Sequence, residues 1–501
     1  MNSRRFLLIC GMLLALPRLA RILYPALWVE DTFYMYAGNL VNQGILPYRD
    51  FVHTQYPGVE FLLAALYRLL GPSTATAEIL TQAFAWAGSF LVLLLGVRLK
   101  NRRTGLIAAI LLSTHSLLFR YHLCQREVFA MVPAIGILWL AFQGPLTGKK
   151  AVLFSLLAGI GISFKLTFLL PCFAAFLYLV WWGRYRDALG VALCSAAALI
   201  AVTSLLWLAF REEFLWQAIL YHFAKGANVH GMHQRLAVPV LSLDWALALG
   251  LPAAVFLSLE DPDPRRVLPL AWLVPEGILF TLFSQDLWPH NYISVLPGLC
   301  LLAGLWLDRV FRGDFWEGDD RWIYHRALMC LTPVVLLFTV IPLKNHQWER
   351  GSIHGFGFLG REQSEEIARI IQDHARPDQR ILAPEHLALD AGRRLFLDDR
   401  MEAAGPVRRL QGLAAEQGLI QACRIMGKED FWMQTEGAQI YWKSEAVDQI
   451  LEGKLPVVIP FLYARFKEEL FQEAGYQALD FTWYRVWLAP SFESSGTDHL
   501  Q

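Results

Sequence analysis

Residues 151–182 read AVLFSLLAGIGISFKLTFLLPCFAAFLYLVWW, an apolar run carrying one charge, Lys165. A helix needs about 20 apolar residues to cross the hydrocarbon of a bilayer. The run is too long for one crossing and too short for two complete ones. It reads as a helical hairpin or broken helix with Lys165 near the bend. Basic pairs close it on both sides, Lys149-Lys150 before it and Arg184 with Arg186 after it. By the positive-inside rule both ends then lie in the cytoplasm.

Outward from this run, further apolar segments lie near 6–24, 76–97, 104–119, 128–143, 188–210, 237–258, 267–284, 291–308 and 327–343. With 151–164 and 166–182 they make about eleven spans. Arg4-Arg5, Arg98-Lys100-Arg102-Arg103, Arg265-Arg266 and Arg309-Arg312-Arg321-Arg326 fall on the same face as the hairpin's bases. The expectation is a multi-pass protein of the cell membrane with a cytoplasmic N-terminus and an extracytoplasmic C-terminal domain. Arg4-Arg5 before an apolar run also has the shape of a signal peptide. Pro17, Arg18 and Arg21 interrupt that run and no small-residue cleavage site follows, so a first span is preferred.

Composition agrees. The 501 residues are 55% hydrophobic and 18% charged, against about 25% charged in an ordinary soluble domain. Residues 1–344 hold 27 Lys and Arg against 20 Asp and Glu, and residues 345–501 hold 17 against 24. A charge-poor transmembrane domain therefore precedes a water-compatible one. A single soluble globule, a disordered chain and a fibrous protein are excluded. The net charge of zero offers no basic field for nucleic acid. Cys10, Cys172, Cys194, Cys300 and Cys330 lie in apolar runs and no CxxC occurs, so neither a disulfide framework nor a cysteine metal site is expected.

The outer face carries two long loops, 28–74 and 211–235, and short turns at 120–127 and 284–291. Polar loops on rigid spans are where function concentrates. In the first loop, residues 28–44 read as a short amphipathic helix. Asp31 is its N-cap, Gly44 its stop, and Tyr34, Ala37, Leu40 and Val41 share a face. Leu46-Pro47-Tyr48-Arg49-Asp50-Phe51 and Gln55-Tyr56-Pro57-Gly58 follow. A second amphipathic stretch, 59–70, suits the membrane surface. Glu30 and Asp31 either cap an interfacial helix or serve as a general base or cation ligand.

The acidic pair after the first span, the Pro-Tyr-Arg-Asp-Phe and the Tyr-Pro-Gly together resemble the first periplasmic loop of the GT-C superfamily. These are integral-membrane glycosyltransferases that use polyprenyl-phosphate sugars, and they include protein O-mannosyltransferase-like and aminoarabinose transferase-like groups. Cys124-Gln125-Arg126-Glu127 resembles that superfamily's second acidic site. Gly159 to Pro171 resembles its glycine-rich hairpin with an intramembrane lysine, and Trp288-Pro289-His290-Asn291-Tyr292 its late His-Tyr turn. The ordered set covers roughly residues 25–305. The acidic pair stands as Glu30-Asp31 where the superfamily more often shows Asp-Glu.

The resemblance implies a GT-C-like fold and transfer of a sugar from a polyprenyl-phosphate donor at the extracytoplasmic face. The acceptor would be a glycan, a lipid or a protein, with membrane lipids as surroundings. One carboxylate acting as base on the acceptor hydroxyl suits an inverting displacement. Asp31 is the first choice, Glu30 the second, and Glu127 a supporting acid. The leaving phosphate needs cations or hydrogen-bond donors, for which Lys165, Arg126, His290 and Tyr292 are chosen. Tyr48, Arg49 and Tyr56 complete the substrate-binding set. A lysine inside an apolar run costs about 2.5–3.5 kcal/mol on insertion scales and marks function by default; the bland alternative is snorkelling beside a carboxylate. Some members of the superfamily use a divalent cation and others none, so an acid-bound cation stays open. His222, His230 and His233 lack zinc-helix spacing, and the loop 221–226 could instead close over the donor.

Residues 345–501 alternate helix and strand signals and read as a small α/β unit. Helices are expected at 362–374, within 385–394 and at 464–474, and strands at 380–384, 456–460 and 476–488. It lacks a glycine-rich phosphate loop or nucleophile elbow, and Asp398-Asp399 read as exposed acids at a strand end. Its expected part is acceptor binding or a lid. Two other readings compete, a transporter or lipid flippase and an assembly subunit. The enzyme requires Asp31, Glu127, Lys165 and His290 in one outward cavity. The transporter requires Lys165, Asp244 and Glu276 along one path.

Overall fold

In the computed structural model the described residues are 3–23, 32–115, 117–118, 124–226, 231–258, 263–284, 287–312, 361–396, 401–428, 446–460, 466–481 and 485–490. Glu30, Asp31, His230, Asp398, Asp399 and the expected span 327–343 lie outside them, as does the side chain of Asp244. The chain forms two compact units. One comprises Met1–Leu23, Leu80–Leu205 and Val229–Ser352; the other comprises Tyr24–Ile79, Leu206–Asn228 and Ile353–Gln501. Most of both expected outer loops thus falls in the same unit as the C-terminal segment.

Helices occupy the other ten expected spans. Among the described residues, Thr74–Leu99 and Tyr185–Ala224 are each long and apolar enough to cross a membrane alone. Met232–Leu243 and Ala246–Val255, bent by 106°, make a third as a broken span. These are fewer than eleven because many of the remaining apolar helices are short. Arg102–Thr114 has 13 residues and Gly148–Phe164 has 17, at 1.5 Å of rise each.

The first unit packs by close approach of small residues. A Cβ on Gly304 would stand 2.8 Å from the Thr104 carbonyl, so the helix Leu296–Arg312 lies against Arg102–Thr114 with backbones nearly touching. Membrane helices gain van der Waals contact this way, because lipid offers no hydrophobic drive between them. Buried polar groups are paired across the same helices. Asn101 caps Arg102–Thr114 by accepting from the Thr104 amide at 2.9 Å, and its amide donates to Asp308 at 2.9 Å. Lys100 meets that buried carboxylate at 3.2 Å. The first helix, Ser3–Leu23, runs through Pro17, and its buried Arg18 donates to the Ser113 and Leu118 carbonyls.

In the second unit the helix Thr32–Asn42 is buried from Thr32 to Val41 on every side. An interfacial helix with one wet face was expected. The helix Gly58–Leu70 covers it, with the Tyr67 hydroxyl on the Met35 carbonyl at 3.3 Å. The helix Glu385–Ala391 also packs on it, so the C-terminal segment supplies the cover that the loop alone lacks. Asp390 accepts from both the amide and the hydroxyl of Thr74 at 2.9 Å, and the Leu395 amide donates to the Tyr36 hydroxyl at 2.8 Å.

Of the expected second outer loop, residues 211–224 are helical. A kink at Arg211, φ 52°, leads into a π turn, Leu215–Leu220, and then Tyr221–Ala224. Strand β1, Arg380–Ile381, pairs in parallel with β2, Arg394–Leu395. Strand β3, Val457–Val458, and β4, Gln477–Asp480, flank β5, Arg485–Leu488, in an antiparallel sheet. Residues 476–488, expected as one strand, thus contribute two. The helices Met401–Gln417 and Leu419–Met426 were not anticipated. They close over Trp216, Leu220 and Ala224.

Candidate active site

The break at Lys165 is built by a glycine. Phe168 folds back onto the helix Gly148–Phe164 so tightly that a Cβ on Gly161 would stand 2.3 Å from its ring. Lys165 ends that helix in an extended conformation, φ −158° and ψ 130°, before the 3-10 turn Leu166–Phe168 and the helix Leu169–Trp181. The backbone therefore leaves the helical path just where the one charged side chain of the run must find a partner.

That partner comes from the helix Arg126–Phe142, which packs beside Gly148–Phe164. Glu127 lies in its first turn, where the positive end of the helix dipole favours a carboxylate. The Lys165 ammonium donates to Glu127 Oε1 and, at 2.7 Å, to Asn291 Oδ1. Asn291 stands in the 3-10 turn Pro289–Ser294. Its neighbour His290 brings Nε2 to 4.0 Å from the same Glu127 oxygen. Three separated segments thus converge on one carboxylate. Charge-assisted hydrogen bonds of this kind are about twice as strong as neutral ones.

A small, partly open cavity adjoins this cluster. Glu127, Lys165, Thr167, Glu276, Asn291 and Ser294 supply its polar wall, and Ala130, Ala134, Phe168 and Phe280 are among its apolar residues. Glu276 belongs to the π turn Val274–Leu279, directly after Pro275. π turns inside helices are frequent at functional sites.

Of the residues expected here, Glu127, Lys165 and His290 are brought together. Arg126 is buried at the start of the same helix. Tyr292 is buried too, but its hydroxyl is hydrogen-bonded to Thr281 at 2.9 Å and its ring stands edge-on to Phe280, outside the cavity lining. A 3-10 turn sends neighbouring side chains about a third of a turn apart. In the triplet His290-Asn291-Tyr292 the turn therefore aims Asn291, not Tyr292, at Lys165. Asn291 and Glu276 were noted in the sequence, one inside the late turn and the other on a transporter path, but were not chosen for the site. A polar side chain in the late turn and an acid beside a mid-span proline were their only signals.

The second unit holds Tyr48, Arg49 and Tyr56. Tyr48 adopts φ 65°, and its hydroxyl donates to the Gln55 carbonyl, which closes the loop on itself. Tyr48 and Tyr56 both pack edge-on against Phe214. Exposed Arg49 grips Asp50 through two hydrogen bonds of 2.8–2.9 Å, and that guanidinium holds the Asp50 carboxyl below the usual range. Fully buried His53 meets fully buried Glu60 at 3.3 Å. Gln217 ties the loop down by accepting from the His53 amide and donating to the Tyr48 carbonyl, both at 2.9 Å. His222 is engaged with the Thr54 carbonyl at 2.5 Å. Among the described residues no three His, Cys, Asp or Glu side chains gather as a metal-binding group.

No protein-family model matches the chain, and no curated protein matches it in sequence. Solved structures do match in shape. ArnT from Cupriavidus metallidurans in the apo state superposes with a TM-score of 0.64 at 14% identity, over 97% of this chain and 98% of that one. The same protein bound to undecaprenyl phosphate gives 0.63 at 12% identity, with the same coverage. The archaeal oligosaccharyltransferase AglB from Archaeoglobus fulgidus, in complex with an inhibitory peptide and a dolichol-phosphate, gives 0.50 at 10% identity. That match covers 98% of this chain and 75% of AglB. Likeness at such identities is likeness of fold, and on it the chain shares the fold of ArnT over nearly the full length of both.

Proposed function

We propose that this protein is a membrane glycosyltransferase, moving a sugar from a polyprenyl-phosphate carrier to an acceptor at the extracytoplasmic face. The observation that carries the reading is the convergence of Lys165, Glu127, Asn291 and His290 beside one cavity. The bound undecaprenyl phosphate of ArnT and dolichol-phosphate of AglB suggest the carrier class. Lys165 is the phosphate ligand, with Arg126 and His290 in support. Glu127 holds the ammonium in place until phosphate exchanges for it, one anion replacing another. The base is taken from the resemblance alone, Asp31 first and Glu30 second. It accepts the acceptor's hydroxyl proton as the new glycosidic bond forms and the carrier phosphate leaves with the bonding electrons. Direct displacement with one base inverts the anomeric centre.

Purified protein incubated with a panel of undecaprenyl-phosphate sugars and a membrane extract should release undecaprenyl phosphate and label an acceptor of one class. No release with any sugar, from folded protein, rejects the reading. Lys165 and Glu276 line the same cavity, and a transporter or flippase would also need them there. Movement of the intact carrier across a vesicle bilayer without sugar release is the outcome that would favour that alternative.

A further inference from the structure

Glu276, on the cavity wall, has one carboxyl oxygen with no hydrogen-bond partner among the described residues. The residue is 4% exposed, and the oxygen to which nothing among the described residues donates is Oε1. The nearest cation, the Lys165 ammonium, is already committed to Glu127 and Asn291. The neighbouring Ser294 hydroxyl, which donates to the Asn291 carbonyl at 3.0 Å, also stands within hydrogen-bond reach of the Glu276 carboxyl and leaves Oε1 without a donor. A buried acceptor left unmade carries a desolvation penalty, and native structures rarely tolerate one without use. The π turn after Pro275 is what delivers this carboxyl to the cavity in place of an aliphatic side chain. Charge decides what can answer it. The wall carries two carboxyls, Glu127 and Glu276, and its ammonium is already bonded to Glu127 and Asn291. The missing partner is a hydrogen-bond donor.

We infer that Glu276 is the sugar-reading group of the cavity, accepting hydrogen bonds from hydroxyl or ammonium substituents of the donor's sugar ring while the phosphate lies at Lys165. This rests on the glycosyltransferase reading. It assigns to Glu276 a share in choosing the sugar, and none in binding the carrier. Thr167 lies on the same wall and can hold a further hydroxyl. A site that hydrogen-bonds a substrate group rejects the analogue lacking it, because its own polar atoms are then stranded.

The test compares binding of bare undecaprenyl phosphate with that of undecaprenyl-phosphate hexose and undecaprenyl-phosphate aminosugar, in wild type, Glu276→Gln and Glu276→Asp. Glutamine keeps the size and removes a buried charge, so it should fold. Aspartate keeps the charge and withdraws it by one methylene. Loss of a charge-assisted hydrogen bond lowers affinity by roughly 10- to 100-fold. That loss is expected for a sugar-bearing carrier in both variants, with bare carrier bound as by wild type. Loss confined to the aminosugar carrier identifies the partner as ammonium, and loss with the hexose carrier identifies it as hydroxyl. Equal weakening of bare and sugar-bearing carriers, or no change in either, overturns the assignment of Glu276 alone. Failure of wild type to bind bare undecaprenyl phosphate overturns the glycosyltransferase reading as well.

Discussion

Lys165 illustrates how a residue's partner changes what its replacement should do. A lysine in an apolar run marks itself in the sequence, and from that alone Lys165→Met should be harmless to folding. The structure places its ammonium on buried Glu127, so the substitution strands a carboxylate with only His290 4.0 Å away. Removing one partner of a buried ion pair costs about 3–5 kcal/mol. Lys165→Met should therefore lower thermal stability, and adding Glu127→Gln should restore much of it. A double-mutant cycle by thermal melting measures this; additive losses would mean that the pair is not coupled in the membrane. Donor binding should fall roughly 10- to 100-fold in both the single and the double variant if Lys165 meets phosphate. The base is tested separately. Asp31→Asn should reduce transfer by about 10²–10⁴-fold with expression intact. Near-normal activity there with a dead Glu30→Gln moves the role by one residue, and activity in both removes the mechanism.

Elements respond to packing that no local pattern displays. Gly161 permits the backbone break because Phe168 occupies the space a side chain would need. Gly161→Ala should push the two apart and displace Lys165, costing about 1–3 kcal/mol as an overpacked core does. Gly161→Ala combined with Phe168→Ala should fold better than Gly161→Ala alone. The helix Glu385–Ala391 offers a pH test outside the membrane segments. His386 is fully buried, neither ring nitrogen has a partner among the described residues, and burial pushes its pKa down to about 3. The unfolded chain, with histidine near 6.5, binds a proton that the folded one refuses. Stability should thus fall as pH drops from about 6.5 towards 3, by about 1.4 kcal/mol per pH unit for this group. The protection factors of that helix, with the intrinsic exchange rate at each pH divided out, should fall with acid in wild type and much less in His386→Phe; equal acid sensitivity would show that another group titrates.

For the whole molecule, the positive-inside pattern and the eleven-span reading set an orientation that thiol labelling can test. In a cysteine-free background, exposed Asp378→Cys should react with an impermeant reagent from outside intact cells, and exposed Thr147→Cys should not. The reverse pattern would overturn the orientation and with it the extracytoplasmic site. The division into units matters as well. Thr32–Asn42 has no exposed face, because Gly58–Leu70 and Glu385–Ala391 both cover it. Severing the chain between the membrane helices and residue 361 should leave the first loop's core open to solvent and to protease.

Sequence by itself pointed to the membrane class, to the apolar helices, to the broken helix at Lys165 and to Glu127, Lys165 and His290 as one group, and those three side chains do lie together. Those readings follow from apolar run length, from the cost of a charge in hydrocarbon and from motifs kept in order, all of which are local along the chain. Tertiary structure alone decided that Asn291 and not Tyr292 faces Lys165, that Glu276 joins the cavity wall, and that the outer loops pack with the C-terminal segment. It also split residues 476–488 into β4 and β5. Each of these depends on residues tens to hundreds of positions apart meeting in space. A hydrogen bond has direction, and only the packed helices and turns set which side chain points along it.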